Sequence, residues 1–393
     1  MIRKQQSKYL LYTIIFMGIF FSNFVFAQQC DCTKDFKELD KLLRKTPAYK
    51  DHKNRYEKVY DSAKESLTTI PNEFDCLVLL NKLTLGVNDN HIKVFGMPEG
   101  HGTKIIKSTI NLDSLEQSLK TRPFENIEGI YKLPNYVTLG LYKKDGNYVG
   151  VILKSNLDNW QPGEIMYTII PFSKDLLLAI FGQQKSKRLV AVSERIKHGM
   201  FLKLGLKKDL NTKSFHLAPY RDSLFFRKEL DANITYIKAG SFDSFYPTLS
   251  EAESFYSTLQ NTLTKPNLIV DLRDNTGGGQ RNSNILLEIL SKYSEKNKIH
   301  VLTNHNTGSN AEQFTIKLKK LPNTKILGDR TQGTLAYEKK KNVSNQLPCG
   351  KFMAVLTSKR HKLYLEYESI GVSPEIFLNY NEDWIAQTLK IIN

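Results

Sequence analysis

From about residue 230 onward, short apolar runs alternate with amphipathic ones, and this constrains the fold more than any other feature. Residues 234–239, 268–272, 299–303 and 325–328 read as strands, and 249–263, 285–293 and 311–321 as helices. Helical spacing puts Ile285, Ile289 and Tyr293 on one face, and Ala311, Phe314, Leu318 and Leu321 on another. Such alternation predicts a sheet covered by helices.

Two regions of different character precede this core. Residues 33–87 show helical spacing at Phe36, Leu39 and Leu43 and again at Phe74, Leu77, Val78 and Leu85. Pro47 and Pro71 punctuate them into about three helices. Residues 136–141, 148–153 and 165–170 are short β-prone runs. Asp145-Gly146-Asn147 and Gln161-Pro162-Gly163 separate them as turns, which predicts an antiparallel β module with Trp160 as a packing residue. The expected organisation is a helical region over 28–123, a β-rich module over 124–229 and a strand–helix core over 230–393. The fold class is α+β with an α/β-type core.

Residues 1–27 stand apart. Arg3, Lys4 and Lys8 open a nearly unbroken apolar run that ends at Val25-Phe26-Ala27, the layout of a cleaved secretory signal. The competing reading is an uncleaved anchor, since 18 mostly apolar residues approach a bilayer span. The expected location is therefore secreted or periplasmic, with membrane contact only through an uncleaved signal segment. Apolar residues at 40% and charged residues at 24% fit a globular protein and exclude a disordered one. The net charge of +16 is scattered, and export argues against nucleic acid as a partner. Export also permits disulfides among Cys30, Cys32, Cys76 and Cys349. Cys30 and Cys32 are too close in sequence to bridge each other easily, so one of them is expected to pair with Cys76. A lone Cys-x-Cys without a second close pair does not suggest a metal site.

Three stretches could carry chemistry. Asp271-Leu272-Arg273-Asp274-Asn275-Thr276-Gly277-Gly278-Gly279 ends a strand in glycines before a helix. Such a turn lets backbone N–H groups approach an oxyanion. It lacks the Gly-Lys-Ser/Thr of a nucleotide loop and the dinucleotide Gly-x-Gly-x-x-Gly, so no cofactor is called for. Thr307-Gly308-Ser309-Asn310-Ala311-Glu312 places Ser309 at a helix start, where free amides favour negative charge. Taken alone, a serine there is more commonly a helix cap. Asn88-Asp89-Asn90-His91 offers a histidine, the usual base for serine.

Together these stretches resemble the tail-specific, or C-terminal processing, serine peptidases, a family that includes the tricorn core protease and the repeats of the interphotoreceptor retinoid-binding protein. The match lies in Asp271 to Gly279, in Thr307 to Glu312, and in the closing Glu368-Ser369-Ile370-Gly371-Val372-Ser373-Pro374-Glu375, where Glu375 stands for the family's Asp. Phe242 and Gly328-x-x-Thr331-x-Gly333 are lesser matches. The resemblance covers 230–380 well and 73–95 thinly. It implies a crotonase-like strand–helix core and hydrolysis of a peptide or protein substrate.

The family's serine–lysine branch carries its lysine where this chain has Thr334. The tricorn-like branch takes a histidine from Asp-Gly-His and a glutamate from the closing motif. Those positions are His91, with Asn90 in place of the glycine, and Glu368. The resemblance thus implies Ser309 as nucleophile, His91 as base and Glu368 as support. Asn310 and one of Gly277 or Gly278 would supply the oxyanion amides. Glu312 is read either as a brace of the turn or as a cap. His361, close in sequence to Glu366 and Glu368, is the rival base. The alternative function is an inactive relative that binds an apolar ligand or a peptide.

Overall fold

The computed structural model describes residues 30–70, 72–97, 105–172 and 175–393. The signal-segment reading falls on residues outside these. Among the described residues no helix is long and apolar enough to cross a membrane.

Three helices open the chain: α1 (Cys32–Leu43), α2 (Pro47–Ser66) and α3 (Glu73–Leu85). Each start carries a side-chain cap: Asp31, Thr46 and Asn72 accept N–H groups of the first turn, and Pro47 sits where its missing N–H costs nothing. Phe36, Leu39, Leu43, Phe74 and Leu77 are buried as their spacing predicts. Strand β1 (Lys93–Gly96) follows directly on the histidine turn.

Helix α4 (Leu112–Lys120) packs on a six-stranded antiparallel meander in the order β2 (Gly129–Leu133), β3 (Val137–Lys144), β4 (Asn147–Ser155), β5 (Ile165–Pro171), β6 (Leu177–Gly182), β7 (Leu189–Glu194). Asp145 and Gly146, both at positive φ, close the β3–β4 hairpin in the geometry that matches strand twist. Trp160 is fully buried and donates its ring N–H to the Gln184 carbonyl at 3.0 Å, a packing role. A short ribbon, β8 (Ile196–Lys197) and β9 (Met200–Phe201), leads on.

The core sheet comprises β10 (Phe225–Glu229), β11 (Ile234–Ala239), β12 (Asn267–Asp271), β13 (Lys298–Thr303), β14 (Thr324–Gly328) and, after the hairpin β15 (Tyr337–Gln346)–β16 (Phe352–Arg360), the short β17 (Ile376–Phe377). From β11 to β17 the pairs are parallel, and β10 is an antiparallel edge. Helices α5 (Thr248–Leu259), α6 (Gln280–Ser294) and α7 (Asn310–Lys319) cover one face through Leu259, Leu286, Leu290, Phe314 and Leu318, and α8 (Trp384–Ile392) packs Trp384 on the other. The architecture is α+β, as expected from the sequence.

Two local expectations need correction. The core sheet starts at Phe225, inside the stretch read as the β module, because Phe225–Glu229 finds its partner in the following strand rather than the preceding meander. Helix α5 stops at Leu259, where Thr262 and Leu263 turn back onto its carbonyl before Pro266. As expected, one of the two close cysteines, Cys32, pairs with Cys76; Cys30 pairs with Cys349, a partner 319 residues away that no local pattern signals.

Strand β1 pairs antiparallel with β16, from Lys93↔Val355 to Gly96↔Phe352. This ladder and the Cys30–Cys349 bridge tie the N-terminal helices to the β15–β16 hairpin.

Candidate active site

Ser309 sits immediately before α7, with φ 52° and ψ −121°. A non-glycine residue in this region is strained by about 1–3 kcal/mol and persists only where its surroundings hold it. Its amide donates to Glu312 Oε2 at 2.9 Å, and the Gly308 amide donates to the Asn275 carbonyl at 2.9 Å. The second bond locks the serine turn onto the glycine-rich turn.

That glycine-rich turn is built from a buried ion pair. Arg273 Nη2 lies 2.6 Å from Asp271 Oδ2, and the same oxygen accepts the Tyr236 hydroxyl at 2.8 Å. Beyond it, Gly277 at φ 99° passes so close to the serine that a Cβ there would meet Asn310 N at 2.8 Å and Ser309 Cβ at 2.9 Å. A Cβ on Gly278 would fall 2.1 Å from the Phe242 carbonyl. The Gly277 amide is already committed, to Asn275 Oδ1 at 2.9 Å, so it is not a candidate oxyanion donor. Of the two glycines offered by the sequence, this leaves Gly278. The amides of Gly278 and Asn310 donate to no acceptor among the described residues.

Glu312 is fully buried; it caps α7 by accepting the Ser309 amide and also braces the turn. Besides the Ser309 amide it accepts Thr331 Oγ1 at 2.6 Å, the Gly333 amide at 2.6 Å and the Thr334 amide at 2.8 Å. Burial pushes its carboxyl above the usual range against the pull of these donors. One step along the same segment, the Leu335 and Ala336 amides donate to Glu368 Oε2 at 2.9 and 2.8 Å. Glu368 Oε1 accepts the Asn90 amide at 2.9 Å. Residues 333–336 thus join the serine turn to the histidine turn through two buried carboxylates. Asn90 Nδ2 also donates to Thr334 Oγ1 at 3.0 Å. Two of the positions at which this chain departs from the patterns considered above, Asn90 and Thr334, therefore contact each other.

His91 is nearly buried, with 9% of its side chain exposed. Its amide donates to Asp89 Oδ1 at 2.9 Å, and the same oxygen lies 3.7 Å from Nδ1. Nδ1 makes no hydrogen bond. Burial, aided by the positive charges of Lys339 and Lys93, lowers its pKa to about 3, so the imidazole is neutral at pH 7. Ligand atoms of Asp89, His91 and Glu368 lie within 4.8 Å of one another. Their oxygens are engaged, however: Asp89 Oδ2 accepts Thr357 Oγ1 at 2.6 Å, and the remaining three take the amides already described. The cluster reads as a hydrogen-bond centre, its carboxylate oxygens taken by amides and a hydroxyl, and not as a metal cradle. Asp89 was quoted in the sequence only as part of the histidine stretch; its spacing two residues before His91, which lets a carboxylate accept the later amide, is the signal for its role.

A cavity of about 360 Å³ opens beside Ser309, lined also by Gly278, Asn310, Tyr337, Glu338 and Lys359. His361 lines it too, and His91 does not. His361 Nε2 lies 3.3 Å from Glu338 Oε2, whose other oxygen pairs with Lys359 at 3.0 Å. His300 and His305 are buried and stand outside this cavity.

Residues 279–376 match the model of peptidase family S41. No curated protein matches the chain. Among solved structures, mature CPAF is similar at 14% identity over 92% of this chain and 96% of that one, with a TM-score of 0.47. The photosystem II D1 C-terminal processing protease is similar at 14% identity, 88% and 92% coverage and a TM-score of 0.39. The tricorn protease is similar at 15% identity, 92% and 36% coverage and a TM-score of 0.42. The matched segment, similar to peptidase family S41, holds Ser309, the Glu312 brace and Glu368.

Proposed function

We propose that this chain is an exported peptidase in which Ser309 is the nucleophile, His91 its general base and Glu368 the support of that base. The observation that carries the reading is the pair of unpartnered amides, Gly278 and Asn310, beside a serine held in a strained turn. Ser309 Oγ attacks the peptide carbonyl carbon while the neutral imidazole of His91 takes its proton. The carbonyl oxygen becomes an oxyanion between the two amides. His91 then returns the proton to the leaving amine, and water repeats the sequence on the acyl-enzyme. Catalysis requires the imidazole to come within about 2.6–3.2 Å of the serine oxygen in the working complex. His361 is the second candidate base, favoured by its place in the wall of the Ser309 cavity.

Export is supported by the basic–apolar–Ala27 layout of the start and by two disulfides, which persist in oxidising compartments. A fluorophosphonate probe tests the nucleophile: tryptic mass spectrometry should place the adduct on Ser309, and Ser309→Ala should lose both labelling and peptide cleavage. Labelling at another serine, or cleavage by the alanine variant, would overturn the assignment. The same spectra should begin at or near Gln28, and an intact Met1 would refute signal cleavage.

A further inference from the structure

Among the described residues the most exposed large apolar side chain is Tyr246, at 86%. It follows Phe245, exposed at 58%, in the turn between β11 and α5. A single apolar side chain on a surface is ordinary. Two adjacent aromatic rings on a turn bonded to the wall of the Ser309 cavity are not.

The turn is anchored at its start. Phe242 is fully buried, and its ring meets Phe314 of α7 edge-on at 4.8 Å. The Phe242 amide donates to the Gly277 carbonyl at 3.0 Å, and the Gly279 amide donates to the Phe242 carbonyl at 2.7 Å. The chain therefore runs alongside the glycine turn as a parallel bridge, Phe242 opposite Gly278. Asn282 of α6 then donates its side-chain amide to the Asp243 carbonyl at 2.8 Å and its backbone amide to Ser244 Oγ at 3.2 Å. Ser244 also packs on Gly279, where a Cβ would meet its Oγ at 2.5 Å. The Phe245 carbonyl accepts the Leu249 amide at 2.8 Å, which closes the turn onto α5. Gly278 and Gly279 line the Ser309 cavity. Tyr246 lies two residues past Ser244, at most about 7.6 Å between Cα atoms, so its ring stands at the glycine side of the cavity rim.

We infer that Tyr246 is a specificity-determining residue: a large apolar side chain of an extended polypeptide substrate, a few residues from the scissile bond, packs on its ring. The inference rests on the reading of Ser309 as nucleophile. Contact with the ring removes apolar surface of both partners from water. The turn is already held by backbone bonds, so little further ordering is needed on binding. Residues 240–247 carry one charge, Asp243, and its Oδ1 accepts the Phe245 amide at 3.2 Å. Recognition here is therefore apolar rather than ionic. A turn with a carboxylate and no cation is also unsuited to an anionic lipid surface, which attracts lysine and arginine.

The test is a series of peptides with one common cleavage site and a glycine–serine background, in which a single phenylalanine is moved stepwise through the positions on either side. With the full chain, KM should fall about tenfold when the phenylalanine occupies one particular position, the usual worth of a good aromatic contact. Tyr246→Ser should erase that minimum, and Tyr246→Phe should keep it. The effect should lie in KM rather than in kcat, because the contact is the same in the ground and transition states. Tyr246→Ala replaces the serine variant if circular dichroism shows that the latter does not fold. A flat series for the parent, or the same minimum in Tyr246→Ser, overturns the role of Tyr246. Self-association of the parent that Tyr246→Ser abolishes in sedimentation would assign the ring to a second copy of the chain and also overturns it. If the parent cleaves no peptide and the fluorophosphonate leaves Ser309 unlabelled, the nucleophile reading itself fails and this inference falls with it.

Discussion

At the scale of single residues, Ser309 and His91 are held by opposite means. The serine is strained into place by bonds to its backbone, whereas the imidazole is placed by the turn beneath it and keeps Nδ1 unbonded. His91→Ala should lower turnover by about 10²–10⁴, the usual worth of general-base catalysis, and His361→Ala should cost far less. Steady-state kinetics of both variants settles which histidine acts. His91 also predicts a pH dependence of stability. Its folded pKa of about 3 lies below the ordinary 6.5, so the unfolded chain binds the proton first. That contribution is intact above about pH 6.5 and is lost as pH falls toward 3, at up to roughly 1.4 kcal/mol per pH unit. Asp89 and Glu368, raised by burial, slope the other way, so the difference between the parent and His91→Gln isolates the histidine. Urea midpoints from pH 7 to 4 should converge for the two proteins, and parallel curves would refute the assignment.

At the scale of elements, the segment 333–336 does what neither motif does alone. It presents four consecutive amides, two to Glu312 and two to Glu368. A carboxylate accepts all its bonds, while an amide side chain turns one end into a donor that faces other donors. Glu312→Gln should therefore destabilise the protein by about 2–4 kcal/mol, the cost of stranding buried donors. It should also slow labelling of Ser309, because the serine amide loses its acceptor. A stability loss with an unchanged labelling rate would mean that Glu312 holds the fold but not the nucleophile. The Glu312 position was visible in the sequence as a neighbour one turn beyond Ser309, but brace and cap could not be separated there. Helical spacing says which way a side chain leaves its helix, and not whether another segment covers it.

At the scale of the whole molecule, the β module is fastened to the site by buried polar groups. Ser193 donates its hydroxyl to Asn90 Oδ1. Just beyond β7, the 5%-exposed Arg195 donates to the carbonyls of Arg330, Thr331 and Ile370 at 3.0, 2.7 and 3.2 Å. Thr331 is also a donor to Glu312, so the module holds the segment that braces the Ser309 turn. Arg195→Ala leaves three carbonyls without that donor and should cost about 2–4 kcal/mol in urea unfolding, with a larger fall in kcat than in substrate affinity. A variant as stable as the parent would show that the module only rests on the core.

The sequence by itself determined most elements of the core, the place of Ser309 at the start of α7 and the glycine turn that ends β12. All of these follow from side-chain periodicity and turn chemistry within a few residues, which act on the chain locally. Only the tertiary structure decided the rest. The Asn90–Thr334 and Asn90–Glu368 contacts join residues 244 and 278 positions apart, and the Cys30–Cys349 bridge spans 319. The choice of Gly278 over Gly277 as the free amide depends on an Asn275 side chain folding back on its own turn. The cavity wall shared by Ser309 and His361 depends on how the β15–β16 hairpin lies over the core. Such pairings are set by packing and by the need of buried polar groups for partners, and that need is met by whichever segment the fold brings near.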